Sequence, residues 1–339
     1  MDYWVYGLGI SSNVVIPAFG LSPSFQDSEI MFEMGPAPAW VIEGSAPPCE
    51  IVQSPSSPQP RDSQLTVSSF HSGKFLELRF EDGTRFVIDG GATRIWAQAG
   101  RGLSPDDVFT YLAGPVMGFA LQRRKKLALH ASSVIVKSGA IVICGEAGSG
   151  KSTTAAALAL RGNPVLCEDI CPLQCVQGRT NVMPGYPRIS LWPDSVSHLF
   201  ESADALPVIV AGWEKRYLAL DGSVANFARQ PAPLCAVYLL EPRSGDTAAP
   251  FVEPLSQRQT ALALVQNTYM NYLLTKEQRA GEFSAIANLV TEVEGYRVIP
   301  HSDPARLTDL AALIESHAAD VIKRLESSTI HVVRADVQP

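Results

Sequence analysis

Residues 145–152 read Gly-Glu-Ala-Gly-Ser-Gly-Lys-Ser, and their flanks constrain the fold more than any other feature of the chain. Ala140 to Cys144 is a short, wholly apolar run, the pattern of a strand covered on both faces. Ser152 to Arg161 is rich in alanine and leucine and stops at Gly162, which reads as a helix with a glycine terminator. A buried strand, a glycine turn and a helix in direct succession require an α/β architecture with helices over the sheet. Gly145, Gly148 and Gly150 free the backbone for a tight curve that points successive N–H groups inward. The helix opening at Lys151 adds its positive end. Gly145-x-x-x-x-Gly150-Lys151-Ser152 is the complete phosphate-loop pattern. Gly145, Glu146, Ala147, Gly148, Ser149, Gly150, Lys151, Ser152 and Thr153 are therefore expected to cradle ATP. Lys151 is expected to reach the β- and γ-phosphates and the Ser152 hydroxyl to ligate Mg²⁺.

The chain has 339 residues, enough for one large or two modest domains. Apolar residues make up 46% and charged residues 18%, a balance that favours a packed core over disorder. The net charge of −7 supplies no global basic field, so nucleic acid is not an expected partner. The run Arg123-Arg124-Lys125-Lys126 reads as a solvated helix end. Met1 to Leu21 is rather apolar but carries Asp2 and no basic residue. It lacks the length and uniformity of a membrane helix, so the expectation is a cytoplasmic protein with no membrane partner. Cys167, Cys171 and Cys175 are spaced four apart, which fits no common zinc pattern.

Along the chain, residues 1–126 read as a β-rich N-terminal domain. Within it, 45–63 is a Pro/Ser-rich loop, and Phe75 to Ile88 is a hairpin turning at Asp82-Gly83. A helix spans 104–124, capped by Ser104 with Pro105 in its first turn and broken near Gly114-Pro115. Residues 127–325 read as the phosphate-loop domain, with strand-like runs at 127–136, 140–144, 164–167, 235–240 and 296–299. Helices are expected over 257–274 and 307–325, and 326–339 is read as a loose tail.

Triphosphate binding alone is not a reaction; a second ligand for Mg²⁺ and a positioned nucleophile are also needed. Glu168-Asp169 ends the next apolar strand, and in open α/β sheets that end lines the ligand crevice. One carboxylate is expected to ligate Mg²⁺ while the other accepts a hydroxyl proton; an acidic loop start is the competing reading. His130, fifteen residues before Gly145, is a candidate to orient a carboxylate, or else a satisfied core residue. Arg188, Lys215 and Arg216 are candidates to neutralise a transferring phosphoryl group, or else surface charge.

Leu129-His130-Ala131-Ser132, the loop at Gly145 and Glu168-Asp169 follow one another at intervals that resemble the catalytic domain of HPr kinase/phosphorylase. Its core is similar to that of phosphoenolpyruvate carboxykinase. The resemblance implies an α/β fold with a phosphoenolpyruvate-carboxykinase-like P-loop kinase core. It implies that His130 supports the first carboxylate, that Glu168 is the acid/base acting on a serine hydroxyl, and that Asp169 helps hold Mg²⁺. The first carboxylate here is Glu168 where the family carries Asp. Gly185-Tyr186-Pro187-Arg188 and Leu191-Trp192-Pro193-Asp194 resemble segments of HPr-kinase-related proteins that tailor lasso peptides. By that resemblance the acceptor is a serine of a peptide or small protein, such as a lasso-peptide precursor. Related kinases are often oligomers, so a homo-oligomer is compatible with the reading. The expected function is thus an ATP- and Mg²⁺-dependent serine kinase. A small-molecule kinase and a catalytically weak nucleotide-binding regulator are the alternatives.

Overall fold

The computed structural model describes residues 1–20, 28–43, 48, 50–53 and 65–335. Its fold is mixed α/β, built on two large sheets.

The first sheet holds β1 (Asp2–Val5), β2 (Leu8–Ser12), β3 (Ile30–Met34), β4 (Glu50–Gln53), β5 (Leu65–Phe70), β6 (Phe75–Phe80), β7 (Arg85–Asp89) and β8 (Arg94–Gln98). A short helix α1 (Ala39–Glu43) lies between β3 and β4. The strand order is β1-β2-β3-β8-β7-β6-β5-β4. β3 runs parallel to both β2 and β8, and the other pairs are antiparallel. Leu8, Ile10, Phe32, Leu78, Phe86 and Ile88 from this sheet share one core with α2 (Pro105–Tyr111) and α3 (Met117–Arg123). Ser104 and Asp107 close a capping box at the start of α2, which satisfies two otherwise orphaned backbone donors. A π-helical segment, 112–116, joins the two helices, and Gly114 leaves helical space there ahead of Pro115. Proline lacks the N–H that would continue the helical ladder.

The second sheet contains the glycine loop. Its strands are β9 (Leu127–His130), β10 (Ser132–Val136), β11 (Gly139–Gly145), β12 (Val165–Cys167), β13 (Ile170–Val176), β14 (Arg179–Val182), β17 (Ala232–Leu240), β18 (Phe251–Leu255) and β19 (Glu294–Ile299). A separate pair, β15 (Arg188–Leu191) and β16 (Arg216–Ala219), lies apart from it. The helices are α4 (Lys151–Leu160), α5 (Pro193–Phe200), α6 (Gln257–Gln266), α7 (Lys276–Glu292) and α8 (Leu307–Ala335). β11, β17 and β19 form the parallel centre. Alternation along β11 explains its wholly apolar sequence. Ile141 and Ile143 pack with Ala155 and Leu158 of α4 and Ile314 and Ala318 of α8. Ala140, Val142 and Cys144 pack with Leu264 of α6 and Ile286 and Leu289 of α7. A strand buried on both faces has no polar side to show.

Several elements differ from the sequence reading. The run 127–136 is two strands, because the chain breaks at Ala131. β9 pairs with β13, whereas β10 pairs with β11 and β12. The helix expected over 257–274 stops at Gln266, and α7 follows behind its own Thr275 capping box. Helix α8 continues through the expected tail to Ala335, and 336–339 lie outside the described residues. Most of 45–63 is likewise outside them, but Glu50–Gln53 within it pairs with β5. The basic run is only partly a solvated helix end. Arg123 donates to the Gly90 carbonyl, and Arg124 pairs with Glu29, so both tie α3 to the first sheet. No helix among the described residues is long and apolar enough to cross a membrane.

Candidate active site

Gly145 ends β11 with φ 147°, followed by Gly148 at 80° and Gly150 at 103°. These are backbone conformations that side-chain-bearing residues avoid. At Gly145 the need is also steric. A Cβ there would lie 2.7 Å from Ser149 Oγ and 2.8 Å from the Leu240 carbonyl. The Gly145 N–H donates to Asn267 Oδ1 at 3.1 Å. Lys151 folds back over the loop and donates from Nζ to the carbonyls of Gly145 (2.8 Å) and Glu146 (3.0 Å). Burial lowers the pKa of this ammonium, opposed by the charges of Asp169 and Glu168. Glu146, Ala147 and Gly148 are exposed on the rim. Ser149 Oγ is buried without a hydrogen-bond partner among the described residues. The first turn of α4 begins at Lys151, where helix N–H groups have no intrahelical acceptor. Thr153 faces elsewhere, with its Oγ1 2.8 Å from Ser195 Oγ of α5.

Glu168 and Asp169 form the turn between β12 and β13. The buried Glu168 accepts from Ser152 Oγ on Oε1 at 2.7 Å and from the Ser190 N–H on Oε2 at 3.3 Å. Asp169 is half-buried and left-handed at φ 67°, a conformation that aspartate tolerates better than most residues. Its Oδ1 lies 3.2 Å from His130 Nδ1, and Tyr269 donates its hydroxyl to Oδ2 at 3.5 Å. The resemblance implied that His130 supports the first carboxylate; instead it pairs with the second. The register is the reason. Ile170 sits opposite His130 in the β9–β13 ladder, so the residue next to Ile170 meets the imidazole.

These environments drive the two carboxyls apart. Burial raises Glu168, and the neighbouring Asp169 charge raises it further, against the hydrogen bond from Ser152. Burial also pushes Asp169 up, but the hydrogen bond and charge of His130, with Lys215 and Lys151, outweigh it and hold the carboxyl at about 2. Paired carboxylates with separated pKa values are the pattern of a proton acceptor beside a permanent anion.

The three candidate cations part company. Lys215 is half-buried, with Nζ over the Trp192 ring at 4.8 Å, and its charge acts on both carboxylates. Arg216 pairs with Asp204 and donates to the Leu206 carbonyl at 3.1 Å, so its guanidinium is engaged away from the carboxylates. Arg188 lies over the Tyr217 ring at 4.3 Å and lines a cavity with Ser190. Sequence reasoning missed Asn267, Tyr269 and Ser190. None lies in a motif. Each reaches the site through the tertiary fold, at the end of α6, just after it, and on β15.

Ser152, Glu168 and Asp169 offer a hydroxyl and carboxylates, the hard oxygen donors that Mg²⁺ takes together with water and phosphate oxygens. Among the described residues no group of three or more His, Cys, Asp or Glu side chains could hold a metal by itself. Cys144, Cys167 and Cys171 are free and buried.

No protein-family model and no curated protein matches the chain. Among solved structures, the HPr(Ser) kinase/phosphatase from Coxiella burnetii is similar at 14% identity and a TM-score of 0.32, over 60% of this chain and 98% of that one.

Proposed function

We propose that the chain is a phosphotransferase that uses ATP and Mg²⁺ to phosphorylate a serine hydroxyl on a peptide or small protein. The observation that carries this reading is the position of Glu168. Its carboxylate joins the glycine loop, through Ser152, to β15, through the Ser190 N–H. A proton acceptor between a phosphate cradle and a second wall is what transfer to a hydroxyl requires.

The roles follow from the environments. Loop N–H groups and the opening of α4 bind phosphate oxygens. The Ser149 hydroxyl, without a hydrogen-bond partner among the described residues, is a further donor for them. Lys151 exchanges its carbonyl contacts for phosphate. Ser152 and Asp169 are the residues that would hold Mg²⁺, which when bound would neutralise charge on the phosphates. Asp169 suits this role because it stays ionised. Glu168, with its raised pKa, accepts the proton of the acceptor hydroxyl as that oxygen bonds to the γ-phosphorus. The bond from the γ-phosphorus to the bridging oxygen breaks, ADP carries away that electron pair, and Glu168 then releases its proton to water. Lys215 offsets the charge that develops beside the carboxylates.

The test is a transfer assay with γ-labelled ATP and a panel of serine peptides, read by mass spectrometry. Stoichiometric phosphoserine from the wild-type chain and its loss in Lys151→Ala are expected. Triphosphate binding without transfer to any acceptor would instead favour a nucleotide-binding regulator.

A further inference from the structure

One cavity adjoins the site without belonging to the phosphate cradle. It has a volume of about 210 Å³ and is bounded by both halves of the fold. Pro17, Asp106 and Phe109 come from the N-terminal half; Tyr186, Arg188 and Ser190 come from the other. The volume is below the ~300–1,000 Å³ of pockets for drug-sized ligands, so it accommodates a moiety of amino-acid size and no folded surface. Ser190 is the link to the chemistry, because its N–H is the donor to Glu168 Oε2.

The lining has a definite charge pattern. The half-buried Arg188 guanidinium lies over the Tyr217 ring at 4.3 Å, and no ion pair or side-chain hydrogen bond to it occurs among the described residues. A guanidinium resting over an aromatic ring can still donate N–H groups to an anion. Asp106, exposed in the first turn of α2, is the carboxylate of the lining, and its side chain has no partner among the described residues. The phosphate loop already has its own cation in Lys151, so Arg188 is not needed there.

We propose that this cavity binds the acceptor, and that the acceptor is a hydroxyl compound carrying a carboxylate next to the reacting oxygen. Arg188 holds that carboxylate, Asp106 faces an amino or amide N–H of the same molecule, and the hydroxyl points past Ser190 to Glu168. The inference rests on the phosphotransfer reading above and narrows its acceptor. A free hydroxyamino acid and a peptide serine flanked by an acidic residue share this chemistry. The N-terminal half thereby acquires a role, since it supplies one wall of the acceptor site.

Binding and turnover are measured separately on the full-length chain. Calorimetry with a non-hydrolysable ATP analogue present would compare L-serine, an N-acetylated and C-amidated Asp-Ser peptide and its identically blocked Asn-Ser counterpart. The same acceptors would be assayed for phosphorylation. The carboxylate-bearing acceptors are expected to bind ~10–100-fold more tightly than the neutral peptide, the range for one charge-assisted pair. Arg188→Gln removes that preference by raising acceptor KM while leaving affinity for the ATP analogue unchanged. L-serine binding without the peptide, or the reverse, identifies the source of the carboxylate, and either supports the proposal. Equal affinity for Asp-Ser and Asn-Ser together with no L-serine binding overturns it. So does an unaltered preference in folded Arg188→Gln protein. Arg188-dependent binding without any transfer keeps the cavity assignment and sinks the phosphotransfer reading instead.

Discussion

Replacing Glu168 by glutamine separates the proposed proton transfer from the residue's hydrogen-bonding roles. The amide keeps the side-chain length, and its oxygen can still accept from the Ser190 N–H, which now lies 3.3 Å from Oε2. Its NH₂ group then faces Ser152 Oγ, 2.7 Å from Oε1. A hydroxyl can rotate from donating to accepting, so both contacts survive. The substitution also removes the charge that opposes Asp169 in a buried site. Folding stability should therefore change by less than about 1 kcal/mol, the net worth of one ordinary hydrogen bond. ATP affinity should hold, because no phosphate ligand is lost. Transfer is different. Loss of a positioned general base costs ~10²–10⁴ in rate, or about 3–5 kcal/mol of barrier. The assay pairs thermal melting and calorimetric ATP binding with single-turnover phosphoserine formation under saturating acceptor. A variant that melts and binds like wild type and also transfers at the wild-type rate would refute the assignment of Glu168 as the base.

Other perturbations test the remaining parts. Lys151→Ala leaves two loop carbonyls without their ammonium and is expected to abolish detectable ATP binding by calorimetry. Gly145→Ala places a methyl against Ser149 Oγ and the Leu240 carbonyl at a positive φ; a loss of about 2–4 kcal/mol is expected, measured by denaturant unfolding. Lys215→Ala should slow transfer, whereas Arg216→Ala should leave it unchanged, since Arg216 is engaged with Asp204. For pH, the depressed Asp169 carboxyl contributes stability that is present above its ordinary value of 3.8 and is lost as pH falls through about 2. His130→Ala removes the hydrogen bond and charge that hold it down, so Asp169 should titrate closer to 3.8, followed by carboxyl-carbon NMR.

The loop and its flanks were legible because they obey local rules. A strand buried on both faces must be apolar throughout, and the glycines at 145, 148 and 150 sit where the backbone turns positive. The hairpin at Asp82-Gly83 and the cap at Ser104 are equally local. The sequence reading failed where a residue's fate depends on a distant strand. Nothing within 127–136 marks Ala131 as the point where one half leaves for β13 and the other for β11. The partner of His130 was a matter of ladder register, which composition does not encode. Arg216 and Lys215 are neighbours in the chain, yet alternation along an extended segment turns them to different surroundings. Asn267 carries no motif at all, and only the packing of α6 against β11 brings it to the loop.

That asparagine has a mechanical consequence. Its side-chain oxygen holds the Gly145 N–H, its side-chain nitrogen holds the Ala263 carbonyl, and its own carbonyl holds the His130 N–H. One residue thus clamps the start of the glycine loop, the end of α6 and the strand bearing the imidazole into a single joint. The loop and the Asp169–His130 pair cannot drift independently, so any tilt of α6 reaches both together. A force applied to the outer surface of α6, away from the glycine loop, would be felt at the carboxylate pair as a change of alignment.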